Sequence, residues 1–133
     1  MGRDDCLGIR EDALTRAKAH SPFLREAVQA RAEIVERFVR DGAAAAAELA
    51  SAASGETLES SLRRQRLGLA LAVALGDLSG ELALEDVTKL LSDFADHAID
   101  EAIKAAIAER VPDADPQGFA VIAMGKLGSH ELN

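Results

Sequence analysis

The sequence predicts a mostly α-helical chain: an antiparallel bundle of helices followed by one C-terminal β-strand. Three observations predict it. Apolar residues recur three and four positions apart along several long stretches, which is the period of a helix with one buried side. Hydrophobic residues make up 48% of the 133, much of that alanine and leucine, and the only aromatic residues are four phenylalanines, so the core is small-residue helix packing. Finally, residues 119–124 (Phe-Ala-Val-Ile-Ala-Met) form a short apolar run that is partly β-branched and follows a Pro/Asp-rich break; that pattern fits a buried strand better than a helix.

Taken in order, residues 1–10 are expected to fray and residues 11–19 to form a short helix. Ser21 is a good N-cap, and Pro22 suits the first helical position, where its missing N–H costs nothing. The helix it starts is expected to run to about residue 41. Leu24, Val28, Val35 and Phe38, with Ala27 and Ile34, make its apolar side; Arg25, Glu33, Glu36, Arg37 and Arg40 make its polar side. Gly42 supplies a stop signal. Residues 43–53 are alanine-rich, strong in helix propensity, and halted at Ser54 and Gly55.

Residues 57–78 form the helix with the widest apolar arc (Leu58, Leu62, Leu69 and Val73 beside Leu67, Leu71 and Leu75), so it should be central. Gly68 within it is either a weak point or a close-packing contact. Arg63, Arg64 and Arg66 read as an exposed turn, or alternatively as a dock for the acidic helix that follows. That helix spans residues 84–109, with Val87, Leu90, Leu91, Phe94, Ala98 and Ile103 on its apolar side. A hinge of a few residues joins the two helices and favours antiparallel neighbours, with Leu62, Leu69 and Val73 against Leu91, Phe94, Ala98 and Ala102. Pro112 and Pro116 then break the chain before the strand.

Charge excludes several function classes. The net charge is −8, and residues 81–116 alone carry 10 acids against 3 bases. With no basic stripe, nucleic-acid binding is not expected. No run of about 18 apolar residues exists, so no membrane span is expected. The N-terminus lacks the pattern of a signal peptide, and the lone Cys6 suits a reducing, cytoplasmic setting. Asp93, Asp96 and Asp100 share a helix face, but hard cations need six or more oxygens, usually from a loop, so these read as solvated carboxylates. His97 has no second ligand at metal-binding spacing.

The chemistry points to the tail. After the expected strand comes Gly125-Lys126-Leu127-Gly128-Ser129. Glycines three apart allow close backbone approach or positive φ, successive N–H groups can form an anion nest, lysine adds charge and serine a donor. These features suit a phosphate, although a plain packing turn is the alternative. The P-loop spacing fails, because Lys126 precedes Gly128. The dinucleotide fingerprint is met only as A-x-G-x-x-G, with Ala123 at the first glycine.

The tail resembles the approach to the catalytic core of the bifunctional glutamine synthetase adenylyltransferase/adenylyl-removing enzymes, relatives of the polymerase-beta-like nucleotidyltransferases. That family's pattern is a hydrophobic strand, then G-K-L-G-G/S, then E-L, then S-D-x-D. His20-Ser21-Pro22-Phe23-Leu24, Leu62-Arg63-Arg64, Gly76-Asp77-Leu78-Ser79-Gly80 and residues 87–95 are similar to upstream family segments in the same order. The Glu131-Leu132-Asn133 ending looks more like the N-terminal, adenylyl-removing half.

The resemblance implies residues 1–117 as an N-terminal helical region, and residues 118–133 as the first strand and turn of an incomplete nucleotidyltransferase α/β core. It implies an intact parent that removes AMP from a tyrosine of glutamine synthetase by phosphorolysis, and adds AMP from ATP in its other half, thereby controlling nitrogen assimilation. Mg²⁺ would be the parent's cofactor, glutamine synthetase and the PII signalling protein its partners, and Gly125, Lys126, Gly128 and Ser129 would line nucleotide phosphates.

Ser129 and His130 depart from the usual family residues, and the two S-D-x-D aspartates that hold the metal ions are absent. The chain alone is therefore expected to be inactive, with no catalytic residue, metal ligand or cofactor of its own. Alternatives are a small helical interaction module and a truncated dinucleotide-binding protein.

Overall fold

The computed structural model describes residues 3–115 and 117–133, with side chains from residue 5 onward. Met1 and Gly2, expected to fray, and Pro116, expected to help break the chain, lie outside the described residues. The element order is α1 (Arg3–His20), α2 (Pro22–Ala30), α3 (Ala32–Asp41), α4 (Ala43–Ser51), α5 (Leu58–Ser79), α6 (Leu84–Arg110) and the single turn α7 (Gly125–Gly128). The chain divides into two compact units between Val87 and Thr88.

The first unit is a helical bundle. Its core is Ile34 and Phe38 of α3, alanines 43, 46, 47 and 50 of α4, and Leu69, Leu71, Ala72 and Leu75 of α5, with Ala13, Ala17 and Ala27 closing the α1 and α2 sides. Helix α5 is central, as its wide apolar arc predicts: it packs on α1, α2, α3 and α4. Alanine faces explain how helices can lie so close. A Cβ placed on Gly68 would stand 3.0 Å from the Ala50 Cβ and 2.9 Å from an Arg31 nitrogen, so Gly68 is a close-packing contact and not a weak point. The faces expected to pair across the hinge fall in different units. Within its own unit the α5 face is already buried by the four preceding helices.

Local signals set most boundaries. The Ser21 hydroxyl accepts from the Leu24 N–H at 3.2 Å, with Pro22 at the first helical position. Thr57 and Ser60 form a reciprocal capping box at the start of α5. Gly80 ends α5 in the left-handed conformation (φ 74°), where a side chain would be strained.

Two departures from expectation have long-range causes. The first helix includes residues 3–10, because Arg10 has partners far along the chain. Its Nε meets the Glu81 carboxylate at 2.5 Å, an Nη donates to the Val39 carbonyl at 3.1 Å, and its guanidinium lies 6.0 Å from the centre of the Phe38 ring. The helix expected to run from residue 22 to about 41 is instead broken at Arg31 (φ −132°, ψ 53°). There Arg31 turns inward and is 4% exposed, donating to the Arg64 carbonyl of α5 and, at 2.6 Å, to Glu33. Glu81 also caps α4 from a distance: its second carboxylate oxygen accepts from the Ala43 N–H at 2.8 Å, a role Gly42 has no side chain to fill.

The second unit holds the rest of α6 and the tail. Among the described residues there is no strand, which corrects the expected C-terminal strand. Residues 119–124 carry the right apolar pattern, but a strand is defined by a hydrogen-bonded neighbour, and none of the described residues pairs with them. The tail nonetheless returns along α6. Phe119, Val121 and Ala123 face Ile99 and Ile103, and the Leu132 N–H donates to the Ser92 hydroxyl at 3.3 Å. Ser92 is fully buried beneath that contact. No helix among the described residues is long and apolar enough to cross a membrane.

Candidate functional site

The residues singled out by sequence do come together, in one tight turn. Met124 is extended (φ −126°, ψ 161°), and Gly125 then adopts φ 63°, which reverses the chain into α7. Positive φ there is the reason for glycine. Gly128 is glycine for a different reason: a Cβ on it would stand 2.6 Å from the Ala123 carbonyl oxygen. The turn is closed by Ser129 N–H to the Gly125 carbonyl at 3.1 Å, His130 N–H to Leu127 at 3.1 Å and Glu131 N–H to Lys126 at 2.8 Å. His130 sits at φ 57°, uncommon for a side chain.

This bonding decides what the turn can offer an anion. The amides of Ser129, His130 and Glu131 are committed to carbonyls of the turn itself. The first amides of a helical turn have no intrahelical acceptor, and among the described residues those of Gly125, Lys126 and Leu127 have no hydrogen-bond acceptor. Lys126 donates to the Asn133 amide oxygen at 2.5 Å. The Ser129 hydroxyl lies 3.2 Å from a Glu131 carboxylate oxygen and 3.3–3.4 Å from the carbonyls of Lys126 and Gly125. Glu131 and Asn133 thus organise the two polar side chains of the turn. Sequence reading gave them no such role, since nothing in their spacing announces it.

The other charged features are ordinary surface. Asp93 pairs with Lys89 at 2.5 Å and Asp100 with Lys104 at 2.7 Å, each one helical turn apart. Hydrogen bonds that Lys104 donates to Asp100 and then to Glu101, with the charges of those carboxylates, raise the pKa of its ammonium above the usual lysine value. Among the described residues no three His, Cys, Asp or Glu side chains converge as metal ligands. His97 is exposed, as are Arg63, Arg64 and Arg66; the cluster contributes to the core only through the Arg64 carbonyl. Beside the tail, α6 carries a groove of about 350 Å³ lined by Ile99, Ile103, Phe119 and Val121, with Asp96 and Lys104 at its rim. An apolar extension of about 300 Å³ continues to Val111.

Residues 12–133 match the family model described as glutamate-ammonia ligase adenylyltransferase, and the chain belongs to that family. It is 39% identical, over its whole length, to the bifunctional glutamine synthetase adenylyltransferase/adenylyl-removing enzyme of Xanthobacter autotrophicus. It is 33% identical over 92% of its length to the protein of the same name from Rhizobium meliloti, and 32% identical over 92% to that of Thioalkalivibrio sulfidiphilus. The chain spans about 15% of the length of each of these relatives. No solved structure matches it.

Proposed function

We propose that this chain is the N-terminal helical region, with the first segment of the catalytic core, of an enzyme that removes AMP from, and adds it to, a tyrosine of glutamine synthetase. The observation that carries the reading is the match over residues 12–133, which takes in both the bundle and the glycine turn. Residues 1–117 serve as the helical region and residues 118–133 as the start of the core. The relatives' names state both activities, and the Glu131-Leu132-Asn133 sequence favours the adenylyl-removing half.

In this reading the turn receives nucleotide phosphate. Gly125 and Gly128 let the backbone come close, the open amides at Gly125 and Lys126 donate, and Lys126 and Ser129 add charge and a hydroxyl once Asn133 and Glu131 release them. Among the described residues no cluster of carboxylates is placed to hold a metal, so the residues present do not fit Mg²⁺. Glutamine synthetase is the proposed substrate, and a PII signalling protein the proposed regulator of the whole enzyme, which would act in the cytoplasm.

Adenylylated glutamine synthetase, phosphate and Mg²⁺ test the reading. The purified chain should release no ADP above background, whereas a polypeptide of the relatives' length carrying this segment should release it. In that longer enzyme Gly128→Val should lower turnover at least about tenfold, through the clash with the Ala123 carbonyl and the displaced turn. Unchanged turnover, or phosphorolysis by the 133-residue chain itself, would contradict it.

A further inference from the structure

The one fully buried residue of α6 is polar: Ser92, whose exposure is 0%. Serine is a weaker helix former than alanine, and a buried hydroxyl is costly unless it is bonded. Alanine would therefore serve the helix better, so the hydroxyl needs a reason. Its partner is 40 residues further on: the Leu132 N–H donates to the Ser92 oxygen at 3.3 Å. Among the described residues this is the one hydrogen bond between α6 and residues 117–133.

That bond falls where the glycine turn closes. Glu131, the residue before Leu132, gives its own N–H to the Lys126 carbonyl at 2.8 Å, and its carboxylate lies 3.2 Å from the Ser129 hydroxyl. Of two consecutive amides, one is therefore fixed to the turn and the next to α6. Apolar contact does not achieve this. Phe119 and Val121 line the α6 groove, yet they remain 66% and 52% exposed. Such contact is also non-directional and leaves the segment free to slide. A hydrogen bond is directional and sets a register. Its acceptor here stands on a helix of 27 residues, the kind of rigid element that holds a site more precisely than a loop does.

We propose that Ser92 is a positioning residue: its hydroxyl anchors the turn of residues 125–129 to α6 through the Leu132 amide, and so sets where that turn meets nucleotide phosphate. The anchor stands on geometry alone; its effect on phosphate rests on the catalytic reading above. Ser92 is buried, so it acts through the backbone of residues 131–132 and not on the nucleotide itself.

Two measurements test this. In the 133-residue chain, amide exchange at Leu132, followed by NMR, reads the anchor. Ser92→Ala should speed that exchange about tenfold or more while α6 stays intact by circular dichroism, since alanine favours the helix. Threonine and valine have nearly the same shape and differ in the hydroxyl. Ser92→Thr should therefore keep the slow exchange and Ser92→Val lose it, whatever the added methyl costs. In an enzyme of the relatives' length, Ser92→Ala and Ser92→Val should lower phosphorolysis of adenylylated glutamine synthetase about tenfold, as expected when a binding turn is misplaced. Addition of AMP from ATP, the work of the other half, should stay within about twofold, as for a distant, independent site. A merely structural defect would lower both activities together. Unchanged Leu132 exchange in Ser92→Ala, equal exchange in the threonine and valine variants, undiminished phosphorolysis, or parallel loss of both activities would each overturn the proposal. An unaltered enzyme that releases no ADP would instead refute the catalytic reading, and Leu132 exchange would still decide the anchor.

Discussion

The two units bury their apolar residues very differently. In the first, Ile34, Phe38, Leu71 and Leu75 are fully buried, and four helices enclose α5. In the second, the only buried residue of α6 is Ser92, while Leu91, Phe94 and Ile103 are half-buried and Phe119, Ile122 and Met124 are exposed. Cohesion is therefore concentrated in α1–α5, whereas the glycine turn that marks the family sits on the loosely covered side.

The contrast is broken most forcefully by truncating one phenylalanine in each unit. Phe38→Ala should cost about 3–5 kcal/mol, the usual range for a fully buried aromatic. Phe94→Ala, from a half-buried site, should cost only about 1–2 kcal/mol. Denaturant unfolding followed by circular dichroism gives both; equal losses would mean that the second unit is as well packed as the first.

The arginines sharpen it at a smaller scale. Arg31→Met removes a buried guanidinium that bonds the Arg64 carbonyl across the core and should cost about 2 kcal/mol. Arg64→Ala removes an exposed side chain and should cost under about 1 kcal/mol, leaving its carbonyl in place. A melting temperature lowered more by Arg64→Ala than by Arg31→Met would put the structural arginine at the wrong position.

Smaller still is an acid-side effect at Glu33. Burial raises its pKa, but the Arg31 hydrogen bond, a backbone bond and the charges of Arg31 and Arg64 outweigh it, and the net pKa is lowered below the ordinary 4.5. A carboxylate with a depressed folded-state pKa adds stability above its unfolded value and loses it as pH falls through the folded value. The side chain is about half exposed, so screening keeps this below about 1 kcal/mol. Stability measured from pH 6 down to about pH 3 should fall less steeply in Glu33→Gln than in the parent; identical slopes would remove the link to Arg31.

What the sequence shows well is what neighbours in the chain decide. The Ser21 cap with Pro22, the α4 start at Ala43, the extents of α5 and α6, and the glycine turn all follow from local propensity and spacing. What it hides is set by distant partners. Arg31 looks like any polar helix residue until Gly68 and the Arg64 carbonyl make room for it and bond it. Residues 3–10 look frayed until Glu81 and Val39 hold Arg10. Ser92 looks like a surface serine until Leu132 covers it. The expected strand shows the reverse: residues 119–124 carry a strand's apolar pattern, yet among the described residues no strand forms, because a ladder needs a hydrogen-bonded neighbour. At the candidate site, Gly125, Lys126, Gly128 and Ser129 were legible as a turn, while the partnership of Glu131 and Asn133 with them was not.

Native-state amide exchange, resolved by NMR on a sample dilute enough to be monomeric, tests the central claim most directly. If α1–α5 hold the chain together and the family's turn sits on the loosely covered side, the amides of Ile34, Phe38 and residues 69–75 exchange only through global unfolding, at the slowest rates in the molecule. Those of residues 119–124 exchange near the rate of an unstructured peptide, and those of residues 90–98 fall between. Residues 119–124 protected as strongly as residues 69–75 in the monomer would contradict the account, because the tail would then be part of the cooperative core.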